Sequence, residues 1–519
     1  MLVWMMSRRR YILEIFLEEI NFYIEIDDKF MSENLKHKTQ KGLIWSLIDN
    51  FGSQGVQFIF AVVVARMLTP EAYGIVAMPM IFLAISNCFI DSGFANALVR
   101  KPELKEEDLS TAFYFNIGVG AFFYFLLFFS SPLIADFYNE PILIDLLRVS
   151  ALALLFNPLC TVQQALLTRE IDFKRQTWIT LVGTCISGFV AAIMAYKGFG
   201  VWALVFQQVV TYFIRTILLW STTSWIPRSG WSKESFRYLW GYGSKMLASG
   251  LLNETFKNLS PLIIGKFYTS ADLGNYTRAL HYSNLPSKNV TSVLQRVTFP
   301  VLASIQNDNE RLCRNYRKII RMSAFMIFPL MMFLAGLSKP LIILMLTDKW
   351  LGCVVYLEIL CFTQMWYPIH AINLNLLQVK GRSDLFFKLE VIKKIIGLIA
   401  MGISLPLGVL YFVISGIVTS LLSLFVNTYY TGKLYDLTFL KQMYDILPTF
   451  AVSFFSWIGI HLFIMMIPNI YIQLFGGFVV GLILFLIGAK FFLRKELYET
   501  SSMLPGKVRN NKFLKCIFE

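Results

Sequence analysis

Basic side chains interrupt two neighbouring apolar runs of this sequence, and they are the residues best suited to bind a charged ligand. They are Lys245, Lys257, Arg278, Lys288 and Arg296. Lysine and arginine bind phosphate and carboxylate groups through charge-assisted hydrogen bonds. An ionisable group costs free energy in hydrocarbon, so it usually faces the interior of a helix bundle or a water-filled cavity. We therefore predict that these side chains line a cationic cavity for an anionic ligand.

Carboxylate and amide side chains accompany these cations. The predicted polar lining, with candidate positions for ion coupling, comprises Asp49, Asn50, Gln57, Asp91, Asn253 and Glu254. Residues 46–57 form a polar stripe at helical spacing, and the runs that contain Asp91 and Glu254 are also polar. We expect the first two helices of each half of the chain to present their polar faces to one central cavity.

These residues also have interpretations that need no ligand. Lys245, Arg278 and Arg296 lie near the ends of apolar runs, where long basic side chains reach the headgroup region. Glu254 and Lys257 are close enough along a helix to neutralise each other. Intramembrane acids in a large bundle are more often hydrogen-bonded structural groups than sites of ion coupling.

The polar residues require helices that cross a membrane. The chain has 519 residues, of which 56% are hydrophobic and 15% charged, and its mean hydropathy is +0.58. A soluble protein could not cover that much apolar surface. Runs such as Phe113–Leu133 are long and do not alternate, so they predict helices and not barrel strands. We predict an all-α polytopic membrane protein of about fourteen transmembrane helices.

The net charge of +14 comes from basic residues that lie between the apolar runs. They collect in alternate connecting segments, the arrangement expected when these segments face the cytoplasm. Both termini are therefore predicted to be cytoplasmic. This distribution argues against nucleic acid as a partner, because membrane topology already accounts for the basic residues and no basic binding surface has to be assumed.

Sequence signatures of catalysis and of cofactor or metal binding are missing. The sequence lacks the phosphate-binding motif GxxxxGK[ST], the zinc motif HExxH and the nucleophile motif GxSxG. No connecting segment is long enough for a catalytic domain, and the seven cysteines show no zinc or disulfide spacing. His370 and His461 fit a packing role better than proton relay. We expect no catalytic residue, cofactor or metal.

A weak internal repeat divides the chain. The segment Ala65–Gly74 (ARMLTPEAYG) recurs as Gly265–Gly274 (GKFYTSADLG), with Thr69 matching Thr269. Each copy contains about six spans, so both copies cross the membrane in the same orientation. The predicted organisation is a cytoplasmic N-terminal segment 1–41, a first six-helix lobe 42–221, a cytoplasmic interfacial linker 222–241, a second six-helix lobe 242–431, two extra transmembrane helices 432–493, and a basic cytoplasmic tail 494–519.

Two of these predicted regions have further features, the N-terminal segment and the linker. Residues 1–30 have no signal-peptide cleavage site, and we interpret them as an extension that precedes a native start at Met31. In the linker, Trp231, Phe236, Leu239 and Trp240 share one helical face. That face predicts a helix lying on the inner leaflet.

The ordered motifs resemble the polysaccharide exporters of the multidrug/oligosaccharidyl-lipid/polysaccharide flippase superfamily, in the colanic-acid-exporter-like branch. The resemblance covers roughly residues 35–430. Its motifs are Ala65–Met78, Asp91–Leu98, Leu166–Lys174, Gly198–Leu204, Asp272–Arg278, Asn284–Ser292, Arg296–Leu302 and Lys380–Asp384.

The resemblance implies a V-shaped pair of helix bundles in the bacterial cytoplasmic membrane. It implies a flippase that moves undecaprenyl-diphosphate-linked sugar units for surface polysaccharide synthesis, including O-antigen, capsule and exopolysaccharide. The expected partners are the lipid-linked oligosaccharide and membrane lipids, with polysaccharide polymerase and chain-length proteins as further candidates. Two alternatives stay open: an ion-coupled multidrug exporter of the same superfamily, and a membrane glycan polymerase or ligase.

Overall fold

A computed structural model describes residues 52–503, and this part of the chain consists of α-helices joined by short connections. No strand occurs among the described residues. Asp49, Asn50 and the predicted extension 1–30 lie outside them, as does most of the predicted tail. The chain divides into two compact units, residues 1–273 and residues 274–519.

The helices of the first unit run in chain order from residue 54. They are α1 (Gln54–Met67), α2 (Pro70–Ala77), α3 (Met80–Asp91), α4 (Phe94–Arg100), α5 (Glu106–Tyr138), α6 (Leu143–Ser150), α7 (Ala153–Arg169), α8 (Phe173–Tyr196), α9 (Trp202–Thr222) and α10 (Lys233–Phe267). The boundary between the units falls in the first turn of α11 (Ser270–Ser304).

The helices of the second unit continue from α11. They are α12 (Asn309–Gly336), α13 (Ser338–Leu346), α14 (Leu351–Gln364), α15 (Tyr367–Val379), α16 (Ser383–Ser404), α17 (Val409–Tyr435), α18 (Phe439–Met466), α19 (Ile470–Phe492) and α20 (Arg494–Met503). Short 3-10 helices precede α14 and α17.

Nine segments of the described residues are helices long and apolar enough to cross a membrane. They are Met80–Arg100, Glu106–Tyr138, Leu143–Arg169, Phe173–Tyr196, Trp202–Thr222, Asn309–Gly336, Val409–Tyr435, Phe439–Met466 and Ile470–Phe492. The chain is therefore a multi-pass helical membrane protein, which confirms the predicted fold class. The total of fourteen spans stays a prediction.

The two longest helices, α10 and α11, are absent from that set of nine. Each has 35 residues, which is ample length for a span, but many of these residues are polar. Helices of this kind are stable inside a membrane when their polar face meets water or other helices and not lipid. The sequence analysis expected polar faces on these two segments, as on the first two helices of the other half.

The first unit packs α10 against its other helices. Leu239 of α10 is fully buried together with Phe94 of α4 and Leu98. Phe236 stacks into the same cluster, with its ring 6.3 Å from that of Phe94. Part of the aromatic face predicted to lie on the membrane therefore packs against protein, while Trp231 remains 51% exposed.

The predicted linker helix and the seventh span form one element. The Ser232 hydroxyl accepts a hydrogen bond from the backbone N–H of Ser235 and so caps the start of α10. No turn follows before Phe267, because Gly241 and Gly243 fit within the helix. The linker thus contributes the first turns of α10 in place of a separate helix.

In the second unit, α18 packs between α12 and α19. Small residues permit this close approach: Gly336, Gly477 and Gly481 all face the side chain of Ile460. Asp445 of α18 accepts two hydrogen bonds from Arg317 of α12, at 2.7 and 2.8 Å. The α18–α19 pair is thereby joined to α12 by both packing and charge.

The division into compact units does not coincide with the predicted lobes. The predicted second lobe begins at residue 242, whereas the first compact unit extends to residue 273 and includes all of α10. The predicted boundary marks where the sequence repeat begins, whereas the boundary of the compact unit marks where contacts between residues become few. The two boundaries therefore need not coincide. The six-helix lobes remain a prediction.

Candidate functional site

The predicted polar residues of the first unit lie on three helices. Gln57 is an exposed residue of α1, and Asp91 is the last residue of α3 and is also exposed. The other two described members of the predicted polar lining, Asn253 and Glu254, lie on α10. The predicted cations Lys245 and Lys257 lie on the same helix.

A break in the second predicted span positions Asp91. The sequence predicts one helix near residues 75–98, but α3 ends at Asp91 and α4 begins at Phe94. Between them, Ser92 and Gly93 have left-handed backbone conformations, with φ of 42° and 69°. Such a break in a membrane span is tolerated where it is buried in protein or lines a cavity.

The helix α10 passes close to this break. A Cβ atom on Gly243 would lie 2.4 Å from the carbonyl oxygen of Ser92, and one on Gly93 would lie 2.7 Å from Cβ of Met246. Glycine at both positions therefore permits the contact. Sequence reasoning singled out Asp91–Leu98 as a motif but did not indicate that the helix ends within it.

Glu254 and Lys257 form an ion pair on α10. The Lys257 ammonium donates to both carboxylate oxygens of Glu254 at 3.0 Å, and the Asn258 amide donates to the same carboxylate at 3.2 Å. The interpretation that these two residues neutralise each other is therefore the arrangement in the structure. Lys245, one of the other predicted cations, is exposed on the same helix.

The three predicted cations of the second unit lie on α11. Arg278 and Arg296 are 18 residues apart, which corresponds to five turns, so they occupy the same face about 27 Å apart. Lys288 lies between them on an adjoining part of that face, and both Arg278 and Lys288 interact electrostatically with His281. Lys288 and Arg296 are exposed, whereas Arg278 is half-buried.

His370 is part of a hydrogen-bond network inside the second unit. Its Nε2 lies 3.2 Å from the Ser420 hydroxyl, and its Nδ1 lies 3.2 Å from the amide nitrogen of Asn427. Both ring nitrogens therefore have partners inside the protein. This geometry supports the packing role that the sequence favours.

Sequence reasoning missed Arg215, a cation in the apolar helix α9. Its Nη2 atom donates a hydrogen bond to Oε1 of Gln164 on α7. An arginine surrounded by apolar residues within a span is a readable signal for a functional group. Gln164 could not have been identified as its partner, because the pairing depends on how α7 and α9 pack.

No group of three or more histidine, cysteine, aspartate or glutamate side chains in residues 52–503 could hold a metal ion. A cavity of about 460 Å³ lies away from the predicted site, between the start of α5 and the start of α10. Lys101, Lys105, Glu107, Glu234 and Tyr238 are among its lining residues. The predicted central cavity is not this one, and its existence remains a prediction.

Comparison with known sequences gives consistent matches. The sequence profile of the family described as "Polysaccharide biosynthesis protein" matches residues 63–356. Lipopolysaccharide biosynthesis protein WzxC of Escherichia coli (strain K12) is 26% identical over 442 residues, covering 81% of this chain and 88% of that protein. Teichuronic acid biosynthesis protein TuaB of Bacillus subtilis (strain 168) is 26% identical over 356 residues, covering 68% of this chain and 74% of that protein.

Comparison with solved structures shows which known fold the helices of this chain resemble. The lipid II flippase MurJ, in an inward closed conformation, matches with a TM-score of 0.71 and 16% sequence identity. The match covers 87% of this chain and 99% of MurJ. At this identity the likeness concerns the arrangement of helices, and it confirms the flippase-type fold implied by the sequence motifs.

Proposed function

Since this chain belongs to the polysaccharide biosynthesis protein family, we propose that it is a flippase for lipid-linked oligosaccharides. Its cargo is an undecaprenyl-diphosphate-linked repeat unit, which it moves across the bacterial cytoplasmic membrane by alternating access. The chain is a transporter and not an enzyme, in keeping with the flippase fold and with relatives that act in lipopolysaccharide and teichuronic acid biosynthesis. The product pathway is surface polysaccharide synthesis.

One observation carries this proposal beyond family membership: α11 presents three cations on one side of a 35-residue helix that is not among the nine apolar spans. A lipid-linked oligosaccharide needs positive charge for its diphosphate and hydrogen-bonding groups for its sugars. Arg278, Lys288 and Arg296 supply the charge. Lys245 adds to it from α10.

The remaining polar residues serve the sugars in this proposal. Gln57 and Asn253 are exposed amides able to donate and accept hydrogen bonds. Lys257 contributes less charge than an isolated lysine, because Glu254 already neutralises it. We assign Asp49, Asn50 and Asp91 to the polar lining or to ion coupling.

We place both termini in the cytoplasm, on the distribution of basic residues between the spans. Polysaccharide polymerase and chain-length proteins are proposed partners on the basis of the pathway.

The direct test uses purified full-length protein in proteoliposomes that contain undecaprenyl-diphosphate oligosaccharide. Movement between leaflets is followed by the accessibility of the sugar to an added lectin. We expect protein-dependent exposure of the sugar with a time course absent from protein-free vesicles. If no exposure occurs with or without proton and sodium gradients, the cargo assignment is wrong, and efflux of cationic drugs from the same vesicles then tests the exporter alternative.

A further inference from the structure

Arg215 is a charged residue inside a membrane span of the first unit, and it has little within the protein to neutralise it. It lies 13 residues after the start of α9, a helix apolar enough to cross the membrane. The guanidinium has five N–H donors. Its hydrogen bond to Gln164 uses one of them. Among residues 52–503, no carboxylate oxygen lies within the 4.0 Å limit of an ion pair with it.

The Arg215 side chain does not extend toward the lipid headgroups. A long basic side chain near a helix end can extend toward the headgroups. Arg215 turns instead toward α7, where it meets Gln164. It also interacts electrostatically with Asp91 of α3 and Tyr212 of α9. The charge therefore lies within the bundle.

The facing side of α7 is a line of hydrogen-bonding groups. Asn157, Thr161, Gln164 and Thr168 follow the spacing that puts residues on one helical face. The amide of Asn157 donates to Asn87 of α3 at 2.9 Å. We call these four residues of α7 the polar seam. Together with Arg215, the seam offers charge and hydrogen-bonding groups within one unit.

Asp91 is the nearby acid, but it stays apart from Arg215. The two interact electrostatically without forming an ion pair. Asp91 is exposed at the break between α3 and α4, directly before the left-handed residues Ser92 and Gly93. A charge pair held open in this way leaves the guanidinium available to an external anion.

We propose that Arg215 binds an oxyanion of the cargo, a phosphate or a carboxylate group, and that Asp91 competes with the cargo for the guanidinium. This proposal rests on the proposed function for the identity of the cargo. Arginine suits either anion, because its planar fork pairs with two oxygens at once. The polar seam holds the sugar next to that anion. The subsite is built from α3, α7 and α9, and none of its residues is among the cations of α10 and α11 named in the proposed function.

The test measures equilibrium binding to the purified full-length protein in phosphatidylcholine nanodiscs. Two probes are used: undecaprenyl diphosphate, and an undecaprenyl-diphosphate oligosaccharide that contains a uronic acid. We expect Arg215→Gln to raise Kd about 10- to 100-fold for the probe whose anion it binds, as for a lost hydrogen bond to a charged group. An effect on both probes assigns the diphosphate, and an effect on the second probe alone assigns the carboxylate.

Asp91→Asn must act in the opposite direction. Removal of the competing charge should lower Kd about three- to tenfold, because a negative charge near the site is lost. Arg228→Gln is the matched control for net charge, since Arg228 is an exposed residue outside the helices of the same unit. We expect its Kd to stay within about twofold of the original value.

Two outcomes overturn the proposal. One is a folded Arg215→Gln protein that binds both probes with the original Kd. The other is an Asp91→Asn protein that binds them no more tightly, which would make Arg215 merely a structural counter-ion. If Arg215→Gln does not fold, Arg215→Lys, which keeps the charge and removes the fork, is measured instead. Failure of the proposed function would show separately, as a lack of sugar exposure in the vesicle assay with the unmodified protein.

Discussion

At the scale of single residues, the cations predicted from the sequence are not equivalent. Lys257 is held by Glu254, whereas Arg296 is exposed and has no ion-pair partner among the described residues. The spacing of Glu254 and Lys257 allowed their pairing to be predicted. Arg296 therefore has its charge available for cargo, and Lys257 has little to offer.

We expect Arg296→Ala to lower the initial rate of sugar exposure about tenfold, since a charge-assisted contact to the diphosphate is lost. Lys257→Ala should lower the rate less, about threefold, because its charge is already compensated. Arg314→Ala serves as the control: Arg314 is an exposed cation at the start of α12. Equal rates in Arg296→Ala and Arg314→Ala proteins, at equal membrane insertion, would remove Arg296 from the site.

A second residue-scale prediction concerns stability. Asp445 is 4% exposed and accepts two hydrogen bonds from Arg317, with Arg321 at 3.4 Å. Asp445→Asn leaves Arg317 without its ion-pair partner, whereas Arg321 keeps Glu496 at 3.6 Å, and the cost is about 2 kcal/mol. We expect a clear drop in the thermal unfolding midpoint.

Asp436 provides the comparison for Asp445. It pairs with Lys441, but its side chain is 79% exposed. Exposed pairs contribute little, so Asp436→Asn should change the unfolding midpoint by a degree or so at most. If the two variants unfold at the same temperature, the contact between α12 and α18 does not depend on this charge.

At the scale of elements, the sequence predicted which segments are helical better than where the helices end. Long apolar runs such as Phe173–Tyr196 were readable, because span length follows from membrane thickness. The break at Ser92–Gly93 was not predicted, and its contact with α10 joins segments that are distant in the sequence. The continuity of α10 was missed as well: the linker and the following span were predicted as separate elements, whereas Gly243 lies inside one helix and packs against Ser92.

Gly243 and Gly241 permit a matched test of that contact. A Cβ on Gly243 meets the Ser92 carbonyl at 2.4 Å, whereas a Cβ on Gly241 meets nothing within 4 Å. We expect Gly243→Ala to destabilise the protein by about 1–3 kcal/mol through overpacking. Gly241→Ala should instead stabilise α10 slightly, by up to about 1 kcal/mol, through helix propensity. Thermal unfolding of the two variants should therefore shift in opposite directions, and a shared direction would contradict the packing at the break.

At the scale of the whole molecule, fold class and family were predictable, and the composition of the compact units was not. Hydropathy and the ordered motifs were enough for the flippase-type fold. The assignment of α10 to the first unit depends on its burial of Leu239 against α4, which no repeat pattern encodes. The same limit applies to Arg215 and Gln164, whose helices are separated by α8.

The predicted orientation of the whole chain has its own test. With both termini in the cytoplasm, the connection after α5 faces the outside and the linker before α10 faces the cytoplasm. Alkaline phosphatase fused after Asn139 should be active, and green fluorescent protein fused after Arg228 should fluoresce. The reverse pattern at both sites would invert the topology and would place the basic connections outside.

The uninterrupted course of α10 has a mechanical consequence. From Lys233 to the residue before Pro261 the helix has no proline, so about 42 Å of it behaves as a stiff rod. Phe236 lies in its first turn, with its ring 5.1 Å from that of Trp231, and beyond Pro261 the helix brings Gly265 against Tyr138 and Met78. A push applied at the N-terminal end of the helix, which is predicted to be cytoplasmic, is transmitted along the rod as far as Pro261. A protein that bound this end of α10 could therefore inhibit or permit transport without entering the membrane.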